Sequence, residues 1–320
     1  MRDSELPLEG IRVIDFSEFV AAPTVAKLMA DWGAEVVKVE KMSGDVWRFY
    51  GPSYGMPSQP DENPLFDIEH LNKKFLALDL KTGEGKEIMA RLLSKADVFV
   101  TNFRMDALAR LNLTYEDLSP KYPRLIYAFV QGFGGKGPDA GRPGFDVVAF
   151  WARCGAMIDL VPAENSVPIN SPFGFGDHIT GGILTGGICA ALYKREKTGR
   201  GDKVYISLLA SGIFSAGSMI TSAQKAYQCS YPRHRAKPLS ATGISYKCQD
   251  GEWILLSILD YGRYWPVLCE RVLGRPELIK DERFQTKLQA VQNSGELFNI
   301  LQEIFLTKRS DEWSSLLEKA

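Results

Sequence analysis

The sequence lacks several features that would assign it to a class of protein at once. Its 320 residues contain five scattered cysteines with no CxxC pair, and the formal net charge is −1. Free thiols in a reducing compartment are therefore expected rather than a disulfide framework. The weak net charge argues against nucleic acid or an anionic membrane surface as a partner. No apolar run is long enough to span a bilayer and the first residues show no signal-peptide core, so we expect a cytoplasmic protein.

Motifs for common cofactors are also missing where they would be needed. The first strand is followed by FSEFVAAP, which lacks the GxGxxG fingerprint of NAD- and FAD-binding loops, and no Walker A motif occurs. The three histidines, His70, His178 and His234, have no metal-ligand spacing, so we expect no metal site. If this chain binds a nucleotide, basic side chains and backbone N–H groups must hold it.

Short β-branched segments alternate with helical patterns through the first two thirds of the chain. IRVIDF (11–16) predicts a strand, and apolar spacing from Pro23 predicts a helix that Gly33 ends. EVVKVE (35–40) is the next predicted strand, and the alternation continues through residue 130. These patterns predict an α/β fold in which residues 1–225 form a large domain with a doubly wound, Rossmann-like parallel sheet.

The last third of the chain has a different pattern. SYPRHRAKP predicts a linker, and ISYKCQDGEWILLSI predicts a β-hairpin that turns at residues 249–251. Helices are predicted around YWPVLCERVL and LFNILQEIF. Residues 226–320 are therefore expected to form the linker and a smaller α+β domain.

Basic residues recur at the predicted ends of strands and helices in the large domain. Each one alone is explained by ordinary solvated surface, but together they are candidates for a phosphate-binding set. The set comprises Lys38, Lys41, Lys73, Lys74, Lys81, Arg104 and Arg110.

The stretch GFGDH (174–178) is the most informative candidate for chemistry. Asp177 precedes a predicted helix from His178 to Lys197 and follows two glycines. One interpretation is a helix N-cap. The other is a nucleophilic carboxylate that a bulky thioester can approach past the glycines, with N–H groups of 132–135 or 174–176 binding an oxyanion. The glycines within the helix are explained equally by tight packing or by a ligand's close approach.

Family-specific segments run along the whole chain, including LEGIRVIDFSEFVAAP, LMADWGAEVVKVE, NKKFLALDLKTGEGK, GFDVVAF, GDHITG and KTGRGDKVYISL. Together they resemble the class III CoA-transferases, the family of formyl-CoA and carnitine CoA-transferases. The resemblance implies that Asp177 is the catalytic aspartate, that the subunits form an interlocked homodimer, and that family members continue with a segment beyond DEWSSLLEKA. PGFDVVAFWARCG and TKRSDEW are most similar to members from amino-acid-fermenting anaerobes that act on 2-hydroxy acids.

The resemblance also implies a set of contacts with coenzyme A. The matching positions are Val20, Ala21, Lys41, Leu78, Lys81, Asn102, Phe103 and Arg110. Two family lysines are replaced here, one by Gln131 and one by Pro143, which has Arg142 beside it.

The expected activity is transfer of coenzyme A from an acyl-CoA to a free 2-hydroxy acid through an aspartyl-CoA thioester, with no metal and no permanently bound cofactor. Related racemases carry a histidine where this chain has Phe145, which argues against racemisation because a phenyl ring cannot carry a proton. A CoA-binding protein without turnover is the other alternative.

Glu18 is either an acceptor for the substrate hydroxyl or an exposed loop acid. The aromatic residues Phe145, Phe150, Trp151, Phe173 and Phe175 either line an acid pocket or pack in the core.

Overall fold

A computed structural model describes residues 6–161, 166–227, 229 and 231–320. Within it the chain divides into two compact units, which are described separately. The larger comprises Met1–Met157 and Asn170–Tyr227, and the smaller comprises Ile158–Ile169 and Gln228–Ala320. The division of the chain into folding domains at residue 225 stays a prediction.

A six-stranded sheet forms the centre of the larger unit. Its strands are β1 (Arg12–Phe16), β2 (Glu35–Glu40), β3 (Lys73–Ala77), β4 (Val98–Thr101), β5 (Ile126–Gln131) and β6 (Lys203–Ser207). All neighbours pair in parallel, in the order β3-β2-β1-β4-β5-β6. This is the strand order of the doubly wound dinucleotide-binding fold, so the predicted parallel α/β architecture is confirmed.

Both faces of this sheet are buried, each in its own hydrophobic core. On β4, Val98 and Val100 belong to the core that contains α1 (Ala21–Asp31) and α7 (Phe175–Thr198), whereas Phe99 belongs to the core on the opposite face. The alternation follows from the period of two along a strand. Burial on both faces explains why the central strands are almost continuously apolar.

Helices cover the two faces. Besides α1 and α7, the helices are α2 (Pro64–Asp67), α3 (Gly83–Leu93), α4 (Met105–Leu111), α5 (Tyr115–Leu118), α6 (Ala156–Asp159), α8 (Leu208–Ser215) and α9 (Gly217–Ser222). Helix α1 begins two residues before Pro23 and the backbone of Val20 caps it without a side-chain bond. The predicted start at Pro23 was therefore wrong by two positions. In the part of the chain that the structure describes, no helix is both long and apolar enough to traverse a bilayer.

Glycines let α7 approach the rest of the unit closely. A Cβ on Gly181 would lie 2.7 Å from Thr24 Cγ2 and 3.0 Å from the carbonyl oxygen of Ala21, both on α1. A Cβ on Gly182 would meet nothing within 4 Å. Tight packing against α1 therefore explains Gly181, while Gly182 faces open space.

The smaller unit contains an antiparallel pair, β7 (Ser245–Lys247) and β8 (Trp253–Leu255). The predicted hairpin is confirmed. Its helices are α10 (Tyr261–Val267), α11 (Glu277–Lys280), α12 (Lys287–Gln292), α13 (Ser294–Phe305) and α14 (Ser310–Lys319). A π-helical segment, Leu268–Leu273, continues α10. The predicted pair of helices therefore corresponds to a larger helical set, which packs around a core that includes Trp265 and Trp313.

The two adjacent glycines of α7 give a matched pair for a stability test. Gly181→Ala should lower the free energy of unfolding by about 1–3 kcal/mol, because the added methyl group collides with α1. Gly182→Ala should raise it by up to about 1 kcal/mol, because alanine favours a helix over glycine where space is free. Urea unfolding monitored by circular dichroism measures both. An equal effect of the two substitutions would contradict the packing assigned to Gly181.

Candidate active site

A cavity of about 820 Å³ opens at the carboxyl edge of the parallel sheet. Segment 18–21 after β1, segment 102–107 after β4 and segment 129–134 at the end of β5 line it, together with 141–145 and Asp177. Strands β1 and β4 are neighbours at the point where the strand order reverses. Parallel α/β folds bind ligands at this switch point, so the cavity is the candidate active site.

Most of the residues expected to contact coenzyme A line this cavity. Val20, Ala21, Asn102, Phe103 and Arg110 do so, as does Asp177. Three others, all within the described residues, lie outside its lining. Lys41 is half exposed and pairs with Glu18, Leu78 is buried in the core beside α3, and Lys81 is exposed before α3.

Asn102 fixes the loop after β1. Its Oδ1 accepts the backbone N–H of Glu18 at 2.9 Å, and its Nδ2 donates to the backbone carbonyl of Glu18 at 2.7 Å. The side-chain carboxylate of Glu18 takes no part in these two hydrogen bonds and contacts Lys41 Nζ at 2.9 Å. A side chain expected to touch ligand therefore also holds the loop that borders the cavity.

Two of the predicted phosphate-binding lysines are structural instead. Lys38 is fully buried with Nζ 2.8 Å from Asp45 Oδ2, and the Lys73 ammonium group is buried 2.8 Å from Asp15 Oδ2. The prediction that Lys38 and Lys73 bind phosphate was wrong, because neither cation reaches the surface. Although burial alone would raise the pKa of Asp15, the charges of Lys38 and Lys73 outweigh it and lower that pKa.

The same ion pairs support a strained turn beside the cavity. Phe19 adopts a left-handed backbone with φ of 66°, which costs free energy for a bulky residue. Its N–H lies 3.4 Å from Asp45 Oδ1, and the ammonium of Lys38 donates to the carbonyl of Ser17. Sequence patterns gave no indication of this arrangement.

Asp177 lies within the first turn of α7 and is not its N-cap. The cap is Gly174, with a left-handed φ of 67°, and Asp177 is the third helical residue. The carboxylate of Asp146 accepts the N–H of Gly176 at 3.0 Å and so performs the capping function from a distant segment. The N-cap interpretation of Asp177 was therefore wrong. Asp177 is half-buried and lines the cavity.

The surroundings of Asp177 oppose its ionisation. Burial, followed by the carboxylates of Asp146 and Glu69, raises the pKa of Asp177 to about 7, while His178 acts in the opposite direction. The helix N-terminus favours a negative charge at this position. A carboxyl group with a pKa near neutrality is typical of a reactive site rather than of a solvated surface.

Aromatic side chains cover the rim beside Phe19. The ring centroids of Phe19 and Phe145 lie 5.5 Å apart, and Phe173 stacks on Trp47 at 5.1 Å. Phe145 and Phe173 are 59% and 43% exposed, whereas Phe150 and Trp151 are buried in the core with α7. Of the two alternatives for the aromatic residues, an acid pocket or core packing, Phe150 and Trp151 therefore take core packing.

Two sequence patterns in the chain resemble functional motifs but lack the secondary structure that those motifs require. GPSYG (51–55) has the spacing of a nucleophile elbow but includes the 3₁₀ helix Gly51–Tyr54 instead of joining a strand to a helix. GFGGKG (132–137) follows β5 but opens no helix, so it lacks the helix N-terminus of a dinucleotide site.

The raised pKa of Asp177 predicts how stability changes with pH. The folded state holds this proton more tightly than the unfolded state, so the contribution of Asp177 to the free energy of unfolding falls as pH rises from about 4 to about 7. Asp177→Asn removes that term and should gain stability relative to wild type between pH 4.5 and pH 8. Thermal unfolding across this range measures the difference, with Asp61→Asn at an exposed position as the control. A constant difference between Asp177→Asn and wild type would refute the raised pKa.

Comparison with known proteins gives the family of this chain. Residues 8–320 match the sequence profile of CoA-transferase family III. The chain is 42% identical over 313 residues to the (R)-2-hydroxy-4-methylpentanoate CoA-transferase of Clostridioides difficile, covering 98% of this chain and 77% of that protein. It is 38% identical over 323 residues to the cinnamoyl-CoA:phenyllactate CoA-transferase of Clostridium sporogenes, with coverages of 100% and 78%. The crystal structure of Rv3272 from Mycobacterium tuberculosis is 30% identical with a TM-score of 0.85, covering 98% of this chain and 82% of that one. The chain belongs to CoA-transferase family III and is an enzyme of that class.

Proposed function

We propose that this enzyme transfers coenzyme A from a 2-enoyl-CoA, such as isocaprenoyl-CoA, to a free 2-hydroxy acid, such as (R)-2-hydroxyisocaproate. The observation that carries the proposal is that Asp177 lines a large cavity at the switch point of the sheet. The two relatives compared above are named for transfer to a branched and an aromatic 2-hydroxy acid. Their names support this class of acceptor.

The chemistry follows from a carboxylate nucleophile. An oxygen of Asp177 attacks the thioester carbonyl of the donor, the C–S bond breaks, and a mixed anhydride and CoA thiolate form. The thiolate then attacks the aspartyl carbonyl, which releases the donor as a free carboxylate and leaves an aspartyl-CoA thioester. The acceptor carboxylate repeats these steps in reverse. Each step exchanges one acyl bond for another, so the thioester energy is retained.

Backbone N–H groups near Asp177 differ in availability. The N–H of Gly176 donates to Asp146 at 3.0 Å, and that of Phe175 lies 3.3 Å from the carbonyl oxygen of Pro172. Of the two glycine segments considered for the oxyanion, 132–135 is therefore the better candidate. Gly132 and Gly134 line the cavity, and Gly134 has a left-handed φ of 98°, which a residue with a side chain rarely adopts.

Three arginines at the cavity suit the phosphates of coenzyme A. Arg104, Arg110 and Arg142 all line it, and guanidinium groups bind phosphate well. Pro143 stands where the family has a lysine, and the neighbouring Arg142 would supply the positive charge of that lysine. Val20, Ala21, Asn102 and Phe103 would contact the same substrate. Lys41, Leu78 and Lys81 stay predicted contacts.

The rim of the cavity suits an acid with a bulky apolar substituent and a hydroxyl group. Phe19 and Phe145 offer aromatic surface, and a desolvated hydroxyl needs a hydrogen-bond partner. Glu18 lines the cavity and supplies carboxylate oxygens. Phe145 also supports transfer over racemisation, since its ring cannot move a proton.

A homodimer and a cytoplasmic location stay predictions. Light scattering tests the homodimer.

Replacement of the nucleophile tests the mechanism. Asp177→Ala should lower transfer by at least about 1,000-fold and remain folded, because the lost carboxyl group is destabilising when ionised. Incubation of wild type with acyl-CoA alone, followed by hydroxylamine and peptide mass spectrometry, should label Asp177 as a hydroxamate. Label on a cysteine instead, or transfer by the folded variant, would reject Asp177 as the carrier.

A panel of acceptor acids tests the substrate class. (R)-2-Hydroxyisocaproate or phenyllactate should give a kcat/KM about 5- to 150-fold above that of oxalate, formate or carnitine, since a lost buried hydrogen bond costs about 1–3 kcal/mol. Glu18→Gln should impair use of the hydroxy acid more than use of the same acid without the hydroxyl, which serves as the internal control. Equal kcat/KM values for oxalate and 2-hydroxyisocaproate would exclude the proposed acceptor while leaving CoA transfer intact.

A further inference from the structure

A buried carboxylate joins three segments around the start of α7. Glu69, in the turn after α2, is 2% exposed, and both of its oxygens have partners. Oε2 accepts the hydroxyl of Thr24 on α1 at 2.6 Å, and Oε1 lies 2.6 Å from Nε2 of His178 on α7. An ionised carboxylate at such depth requires a charged or strongly hydrogen-bonding partner. His178 is that partner.

His178 directly follows Asp177, and its ring stands over the first turn of the helix. A Cβ on the capping Gly174 would lie 3.1 Å from Cε1 and 3.3 Å from Nδ1 of the ring. The ring is thus held on one edge by Glu69 and packs along another against Gly174. Its position is fixed although 45% of the side chain is exposed.

Among the described residues, the charged groups that act on His178 are acidic. Glu69 faces it from the turn after α2, Asp146 from the π-helical segment Asp146–Ala152, and Asp177 from α7 itself. The hydrogen bond to Glu69 raises the pKa of His178 most, burial opposes it, and the other two carboxylates add to the increase. A cation at a helix N-terminus is unfavourable by itself, so the carboxylates account for the raised pKa of His178.

We propose that His178, held by Glu69, is a positioning residue that supplies the positive charge against which Asp177 ionises and becomes nucleophilic. This inference rests on the proposed role of Asp177. Without the cation, Asp177 would have to ionise beside Asp146 and Glu69 with only the partial positive charge of the helix N-terminus to offset them. Formation of the aspartyl-CoA thioester removes the charge of Asp177, and the same coupling then makes His178 more acidic while the intermediate exists.

Coupling between two charges is reciprocal, which gives two independent measurements. His178→Gln keeps a hydrogen-bond donor for Glu69 but removes the cation. In the pH profile of kcat/KM, the acid limb should move to higher pH by about one unit. The variant's kcat/KM should therefore be approximately tenfold below wild type at pH 6 and return to the wild-type value by pH 9. His178→Lys, which retains the charge, should restore part of the loss at pH 6. The control His234→Gln, in the smaller unit, should leave the limb in place.

The second measurement follows the histidine itself. The chain has three histidines, so their imidazole signals are resolvable by NMR titration. In Asp177→Asn, the titration of His178 should move to lower pH by the amount that His178→Gln moves the acid limb. An activity loss in His178→Gln that is equal at all pH values, or an unchanged His178 titration, would overturn the inference. Neither outcome bears on the hydroxamate at Asp177, which tests the proposed function separately.

Discussion

Two buried ion pairs hold the carboxyl edge of the sheet, and the site depends on them. Lys38 meets Asp45, and Lys73 meets Asp15, with all four charged groups withdrawn from water. Desolvation of such charges costs several kcal/mol per ion, and their mutual attraction with added hydrogen bonds must offset that cost. Here the added bonds include the backbone of the loop after β1. The pairs therefore fix the backbone beside the cavity, including Phe19 in a conformation that it would not adopt alone.

The start of α7 combines requirements that oppose each other. Asp146 occupies the N–H group of Gly176, and Gly176 has no room for a side chain because a Cβ would lie 2.3 Å from Phe150. This packing leaves Asp177 free of the capping role but places it among other carboxylates. The result is a candidate nucleophile whose ionised form is disfavoured, a common relation between reactivity and stability at active sites.

Local sequence does not report the depth of a side chain, so the prediction for two lysines failed and the choice between pocket and core stayed open for two aromatic residues. Lys38 and Lys73 stand on strands near predicted phosphate-binding positions, yet they point into the protein and pair with Asp45 and Asp15. Phe150 and Trp151 are as aromatic as Phe145, but the π-helical segment turns them into the core and leaves Phe145 at the cavity.

The sequence by itself determined the parallel α/β architecture, the hairpin of the second unit and the candidate nucleophile. Alternating periodicity and turn residues act locally, and the family-specific segments around Asp177 are contiguous. Only the tertiary structure decided which groups surround that nucleophile. Glu69 and His178 are 109 residues apart in the chain, and Asp146 reaches Gly176 across 30. Such pairs are created by packing of α1, α7 and the loops at the sheet edge, and no periodicity or spacing in the sequence records them.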